Sequence, residues 1–257
     1  MNDLLRIDQV TYMIWTAGGL TVLLLVAGAQ AIKASANGGG RFANLVEAMV
    51  DFARENIAEP FLGEHAKKWF GFFATLFFFI LFANLLGKLP GPVYGSTASA
   101  IDQDPHFVLE TPTGNINVTA ALAVMVFLIA QGVGLSKMGL VGYCKKKFLL
   151  PAPLWVQIPA IPIMFLVLLA EPFSLAVRLF ANMTAGHKVI VTFMVADLVG
   201  GVWLLTEAPI WAKPISVLPF VLTVALLGFE LLIAFIQAFI FALLSALYLS
   251  ESLEEHH

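Results

Sequence analysis

EPFSLAVRLFANMTAGHK, residues Glu171 to Lys188, sets Arg178 inside one of the most apolar parts of a 257-residue chain. On an insertion scale an Arg at mid-bilayer costs roughly 2.5–3.5 kcal/mol, so a guanidinium held there marks a functional position unless it snorkels to a headgroup or pairs locally. Glu171, seven residues earlier and on nearly the same helical face, is the local candidate for such a pair. Whether the stretch lies in a membrane is answered by the rest of the chain.

The chain is 60% hydrophobic and only 12% charged, with a mean hydropathy of +0.89. No soluble domain of ordinary usage has this composition, and the chain reads as an all-α polytopic membrane protein forming a single membrane domain over 1–257. A net charge of −3, with the positive residues spread through short loops, argues against nucleic acid and against a polybasic lipid hook. One cysteine, Cys144, excludes an internal disulfide framework. No Cys/His cluster has metal-ligand spacing, so neither metal nor cofactor is implied. The start, MNDLLRIDQV, lacks the basic region of a signal peptide, and the first apolar span is expected to be retained.

That first span is 11–32, long enough to cross a hydrocarbon core of about 30 Å. A linker, SANGGG, leads to 41–62, where Phe42, Leu45, Val46, Met49, Ala53 and Ile57 recur at helical spacing opposite Glu47, Asp51, Arg54, Glu55 and Glu59. This predicts an amphipathic helix lying on the membrane surface, against a partner, or with its polar face simply in water. Spans follow at 69–87, dense in Phe, and at 116–136. Between them a Pro- and Gly-rich stretch carrying Asp102, Asp104 and Glu110 reads as a loop. Lys and Arg number five in the segment Lys33–Lys68, one in 88–115 and four in 137–147. By the positive-inside rule the first and third segments face the cytoplasm or its equivalent.

Two runs of roughly forty residues, 158–200 and 214–250, end the chain. Each would be about 60 Å long as one helix, twice the membrane. Each is therefore either two shorter spans or one strongly tilted helix held oblique by packing on a large partner. If the runs form an antiparallel hairpin, residues at one level share a sequence midpoint. The midpoint of 178 and 237 is 207.5 and that of 187 and 230 is 208.5, both within the expected turn around Glu207 and Pro209. Two polar levels result: Arg178, Asn182 and Gln237 at one, His187 and Glu230 at the other. Glu230 stands in 37 residues that are otherwise uncharged and must be hydrated, paired or protonated there. A Glu and a His at one level can serve as a proton relay or form a plain structural hydrogen bond. Asn182 and Gln237 are by default helix–helix hydrogen bonders, singled out here by their alignment with Arg178.

PFSLAVRLFANMTAGH, followed some forty residues later by FELLIAFIQAFIFALLSALYLS, closely resembles subunit a of the rotary F-type ATP synthase. LFFFILFANLLGKLPG and TPTGNINVTAALAV support the resemblance, which runs from about Arg41 to the carboxyl end. It implies a stator ion channel of the membrane Fo sector, non-catalytic itself, with two aqueous half-channels that deliver protons to ring carboxylates and collect them again. Carried over residue by residue, it makes Arg178 the essential stator charge and assigns Asn182, His187, Glu230 and Gln237 to proton translocation. Many bacterial members have Glu at the first titratable site and His at the second. This chain has His187 with Glu230, which resembles alphaproteobacterial and mitochondrial relatives. It departs from the pattern at Glu171, where many members carry Lys, Arg or a neutral polar residue; pairing with Arg178 and lining the inner half-channel are both open for it. The implied partners are a ring of c subunits, peripheral-stalk b subunits, the other ATP synthase subunits and lipid, in a bacterial inner membrane or the mitochondrial inner membrane.

A self-contained secondary transporter with an Arg-centred anion site is the alternative, and it would call for inverted repeats that the sequence does not show. An intramembrane hydrolase would need HExxH, GxSxG or a catalytic Asp pair, none of which is present.

Overall fold

The structure, a computed structural model, describes residues 2–34, 41–87, 111–148, 153–206 and 217–253. The SANGGG linker, most of the loop at 88–115, the turn beyond Thr206 and the carboxyl-terminal His pair lie outside the described residues. Among the described residues the chain is helical: α1 Asn2–Ala34, α2 Arg41–Ala53, a π-helical turn Arg54–Ala58 running into α3 Glu59–Leu62, α4 Ala66–Leu86, α5 Ile116–Phe148, α6 Leu154–Thr206 and α7 Val217–Leu253. Among the described residues five stretches are long and apolar enough to cross a membrane. The fold is all-α and polytopic, as the composition requires.

Much of the amphipathic segment is built as its periodicity predicts, with its apolar side covered from within the chain; Leu45, expected on that side, is instead 58% exposed, and the side chain of Phe42 lies outside the described residues. Val46, Ala53, Ile57, Ala58 and Leu62 are buried, while Glu47, Arg54, Glu55 and Glu59 are exposed. Phe52 packs its ring 6.2 Å from Phe77 on α4 and 5.5 and 5.6 Å from Phe235 and Phe239 on α7. In one straight helix Phe52 and Phe77 would be roughly 37 Å apart. The chain therefore reverses between α3 and α4, at Gly63 with φ 47°. The Phe-rich α4 forms the centre of the core: Phe73, Phe77, Phe78 and Ile80 are almost wholly buried, as are Leu179 on α6 and Phe241 on α7. Burying a ring of this size contributes about 1.5–3 kcal/mol in water, whereas between helices in lipid close packing carries the gain.

One polar link crosses this core. Thr113 donates to Asn84 Oδ1 at 2.6 Å, and Asn84 Nδ2 donates to the carbonyl of Ala234 on α7 at 3.3 Å, with Asn84 and Thr113 fully buried. Asn84→Ala removes both bonds and strands the Thr113 hydroxyl. It is expected to lower stability by about 1–2 kcal/mol, read as an earlier midpoint when the detergent-solubilised chain is titrated with sodium dodecyl sulfate. An unchanged midpoint would show that the link contributes nothing.

The long runs resolve as single helices. The sequence left open two spans or one for each; α6 continues for 53 residues through Pro159, Pro162 and Pro172, and α7 for 37. The span expected at 116–136 also continues, but α5 breaks at Gly139, with φ 70° and ψ 167°, a left-handed conformation that favours glycine. Residues 140–148, which read as a basic loop, form a further helical segment folded back on the first part of α5. Their lysines then meet the end of α7: Lys146 Nζ donates to the Glu251 carbonyl at 2.7 Å, and Lys137 Nζ donates to that of Leu253 at 2.9 Å. Both satisfy carbonyls that a helix end leaves without an internal partner.

Candidate functional site

Along α6, Leu175, Leu179 and Met183, spaced four apart and each at most 2% exposed, are turned into the protein. That stripe fixes the rotation of α6. Arg178, one position before Leu179, is turned away from the core and exposed, with Ser174, Ala181, Asn182 and Ala185 exposed around it. Among the described residues no acid is paired with Arg178, and Glu171 is engaged elsewhere. A cation thus lies in an apolar helix, on a face lined by small side chains and not covered by the other described helices.

Asn182 bridges the two helices: its Nδ2 donates to Gln237 Oε1 at 2.6 Å. Gln237 is 3% exposed and Glu230, two turns away on α7, is 4% exposed. The contact puts the midpoint of 182 and 237 at 209.5, against the 207.5 that the sequence test used. The antiparallel hairpin is thereby brought together in nearly the expected register, with Arg178 one helical turn beyond the Asn182–Gln237 bridge instead of level with it. The same register sets Glu230 opposite residue 189, within two residues of His187. His187 is helical in α6, but its side chain lies outside the described residues.

Glu171 is where sequence reasoning missed a partner. Lys147 Nζ is 3.6 Å from Glu171 Oε1 and 3.1 Å from Glu251 Oε1. The side chains of Lys147 and Glu171 are only 13% and 12% exposed, that of Glu251 52%. A charge pair so shielded holds only when its hydrogen bonds and geometry are good. The only sequence signal for it was the basic run 145–147, which counts toward topology without naming a partner.

These features define a polytopic membrane protein that, among the described residues, presents the unpaired guanidinium of Arg178 on an uncovered face of α6, with the buried Gln237 carboxamide one turn away. The family described as ATP synthase A chain matches residues 11–250, and the chain belongs to that family. It is 37% identical to ATP synthase subunit a 2 of Chlorobaculum tepidum over 95% of this chain and 62% of that protein. Against ATP synthase subunit a of Chloroherpeton thalassium the identity is 37% over 95% of this chain and 66% of that protein. Against ATP synthase subunit a of Myxococcus xanthus it is 37% over 98% and 75% respectively. The chain thus spans slightly less than two thirds of the first two relatives.

Proposed function

We propose that the chain is the stator ion-channel subunit of a rotary F-type ATP synthase, held in a bacterial inner membrane beside a ring of c subunits and peripheral-stalk b subunits. It is non-catalytic: it carries protons to and from the ring, and ATP chemistry takes place elsewhere in the complex. The observation that carries this reading is the exposure of Arg178 on an uncovered apolar face. A partner that moves past such a face must bring its own charge. A ring carboxyl is neutral when protonated and can face lipid; ionised, it needs the guanidinium. At 4 Å and an effective dielectric constant of 20 the attraction is about 4 kcal/mol, on the order of a thousandfold in the protonation equilibrium. That promotes release of the proton beside Arg178 and also blocks direct leakage between the half-channels. Asn182 and Gln237 hold the helix pair together one turn away, and His187 with Glu230 feed protons from the outer side.

The small side chains around Arg178 let another helix approach closely. With Cys144, the native thiol, changed to Ser, Ser174→Cys is expected to form a disulfide with a cysteine placed one turn from the ring carboxyl, and the linked enzyme is expected to lose ATP-driven pumping. Absence of any cross-link from cysteines at 174, 181 and 185 would remove the ring from this face.

A further inference from the structure

The break at Gly139 assembles a group of polar side chains that no contiguous motif announces. In a straight helix Lys147 would stand roughly 24 Å from Gln131. Instead the Tyr143 hydroxyl donates to Gln131 Oε1, and the Tyr143 ring fills the space where Gly134 has no side chain. This fold-back carries Lys147 between Glu171 on α6 and Glu251 on α7. Exposure rises along the triad from 12% at Glu171 to 52% at Glu251, so it leads from the interior toward water. Beside Glu171 is a cavity of about 10 Å³, in which Gln131, Glu171 and Tyr248 are the polar groups of a mostly apolar lining, room for the centre of about one water molecule. Tyr248 on α7 and Glu171 on α6 line this cavity together. Polar groups therefore extend from Glu171, about two helical turns along α6 from Arg178, to the lysine-rich end of the molecule.

We propose that Glu171 is the proton acceptor of the inner half-channel and that Lys147 is its positioning residue. The proposal rests on the stator reading above and adds to it the exit route. A proton released by a ring carboxyl beside Arg178 passes to water at the cavity. The Glu171 carboxylate takes it up, becoming a neutral carboxyl, and returns it to Glu251 or to bulk water beyond. Lys147 remains an ammonium throughout. A carboxylate with 12% exposure needs such a fixed counter-charge to exist in the ionised form that accepts a proton. The other charged or titratable groups beside the triad are Tyr143, Tyr248 and Lys146; of these Lys146 is held by the Glu251 carbonyl, Tyr143 by Gln131, and Tyr248 lines the cavity beside Glu171. Glu251, half in water, is replaceable by solvent.

The test uses the full complex in inverted vesicles, stripped of its catalytic head, with passive proton flux normalised to the amount of assembled membrane sector. Glu171→Gln and Lys147→Met are each expected to lower the flux about tenfold or more, and Glu251→Gln no more than about twofold. In Glu171→Ala, added formate, a small carboxylic acid, is expected to restore flux, which a purely structural clamp would not allow. Wild-type flux per assembled complex in either Glu171→Gln or Lys147→Met, or loss in Glu171→Ala that formate leaves untouched, overturns the proposal. Arg178→Ala separates the two levels: if it still pumps normally, the stator reading itself falls, whereas an inactive Arg178→Ala beside an active Glu171→Gln removes only the exit route.

Discussion

Arg178→Ala is expected to leave no measurable ATP-driven proton pumping in vesicles carrying the assembled enzyme, with the chain inserted at its normal level. Insertion should not suffer, because taking an Arg out of an apolar helix removes a cost of roughly 2.5–3.5 kcal/mol. Packing should not suffer either. The buried stripe of α6 is Leu175, Leu179 and Met183, and Asn182 bridges to Gln237 on α7; Arg178 takes part in neither. What disappears is the cation that the proposed function assigns to stabilising an ionised ring carboxyl. Arg178→Lys is expected to recover little, since an ammonium lacks the planar fork and gives up its proton more readily when dehydrated. The measurement is fluorescence quenching of a pH-sensitive dye on addition of ATP, with immunoblotting for the inserted chain. Pumping at the parent rate by Arg178→Ala would contradict the role assigned to the guanidinium.

Much of this site was legible because intramembrane polar residues are rare, and each one in the last hundred residues could be weighed by itself. The hairpin register followed from the placement of Gln237 against Arg178 and Asn182, and it erred by only two residues at the midpoint. That small error has a physical origin: the test assumes residues at one level, while long side chains such as Gln and Asn meet across about a turn. The Glu171 environment was not legible. Its partner, Lys147, belongs to a segment whose composition, KMGLVGYCKKK, reads as a solvated basic loop. The decisive event is backbone conformation at Gly139, and a glycine in such a stretch carries no mark that distinguishes a turn from a fold-back. The amphipathic helix shows the same limit: periodicity identified its apolar face, but only the reversal at Gly63 and the stacking of Phe52 on Phe77, Phe235 and Phe239 identify what covers it.

Glu230→Gln is the second replacement expected to act strongly, by slowing proton uptake from the outer side on the order of a hundredfold, the usual worth of a positioned proton-transferring group. Gln has nearly the shape of Glu and keeps hydrogen-bonding capacity, so a residue only 4% exposed can be changed this way with little disturbance of α7. It cannot, however, take up and release a proton near neutral pH. Glu230→Asp keeps the carboxyl but draws it back by one methylene, and is expected to retain an intermediate flux. Gln237→Ala supplies the contrast. It deletes the bridge to Asn182 and lowers stability by about 0.5–1.5 kcal/mol, yet removes no titratable group, so its passive flux per assembled complex should exceed that of Glu230→Gln. Passive flux through the stripped membrane sector orders the three variants. If Glu230→Gln conducts as the parent does, the buried carboxyl serves packing alone and the outer path must reach the ring without it.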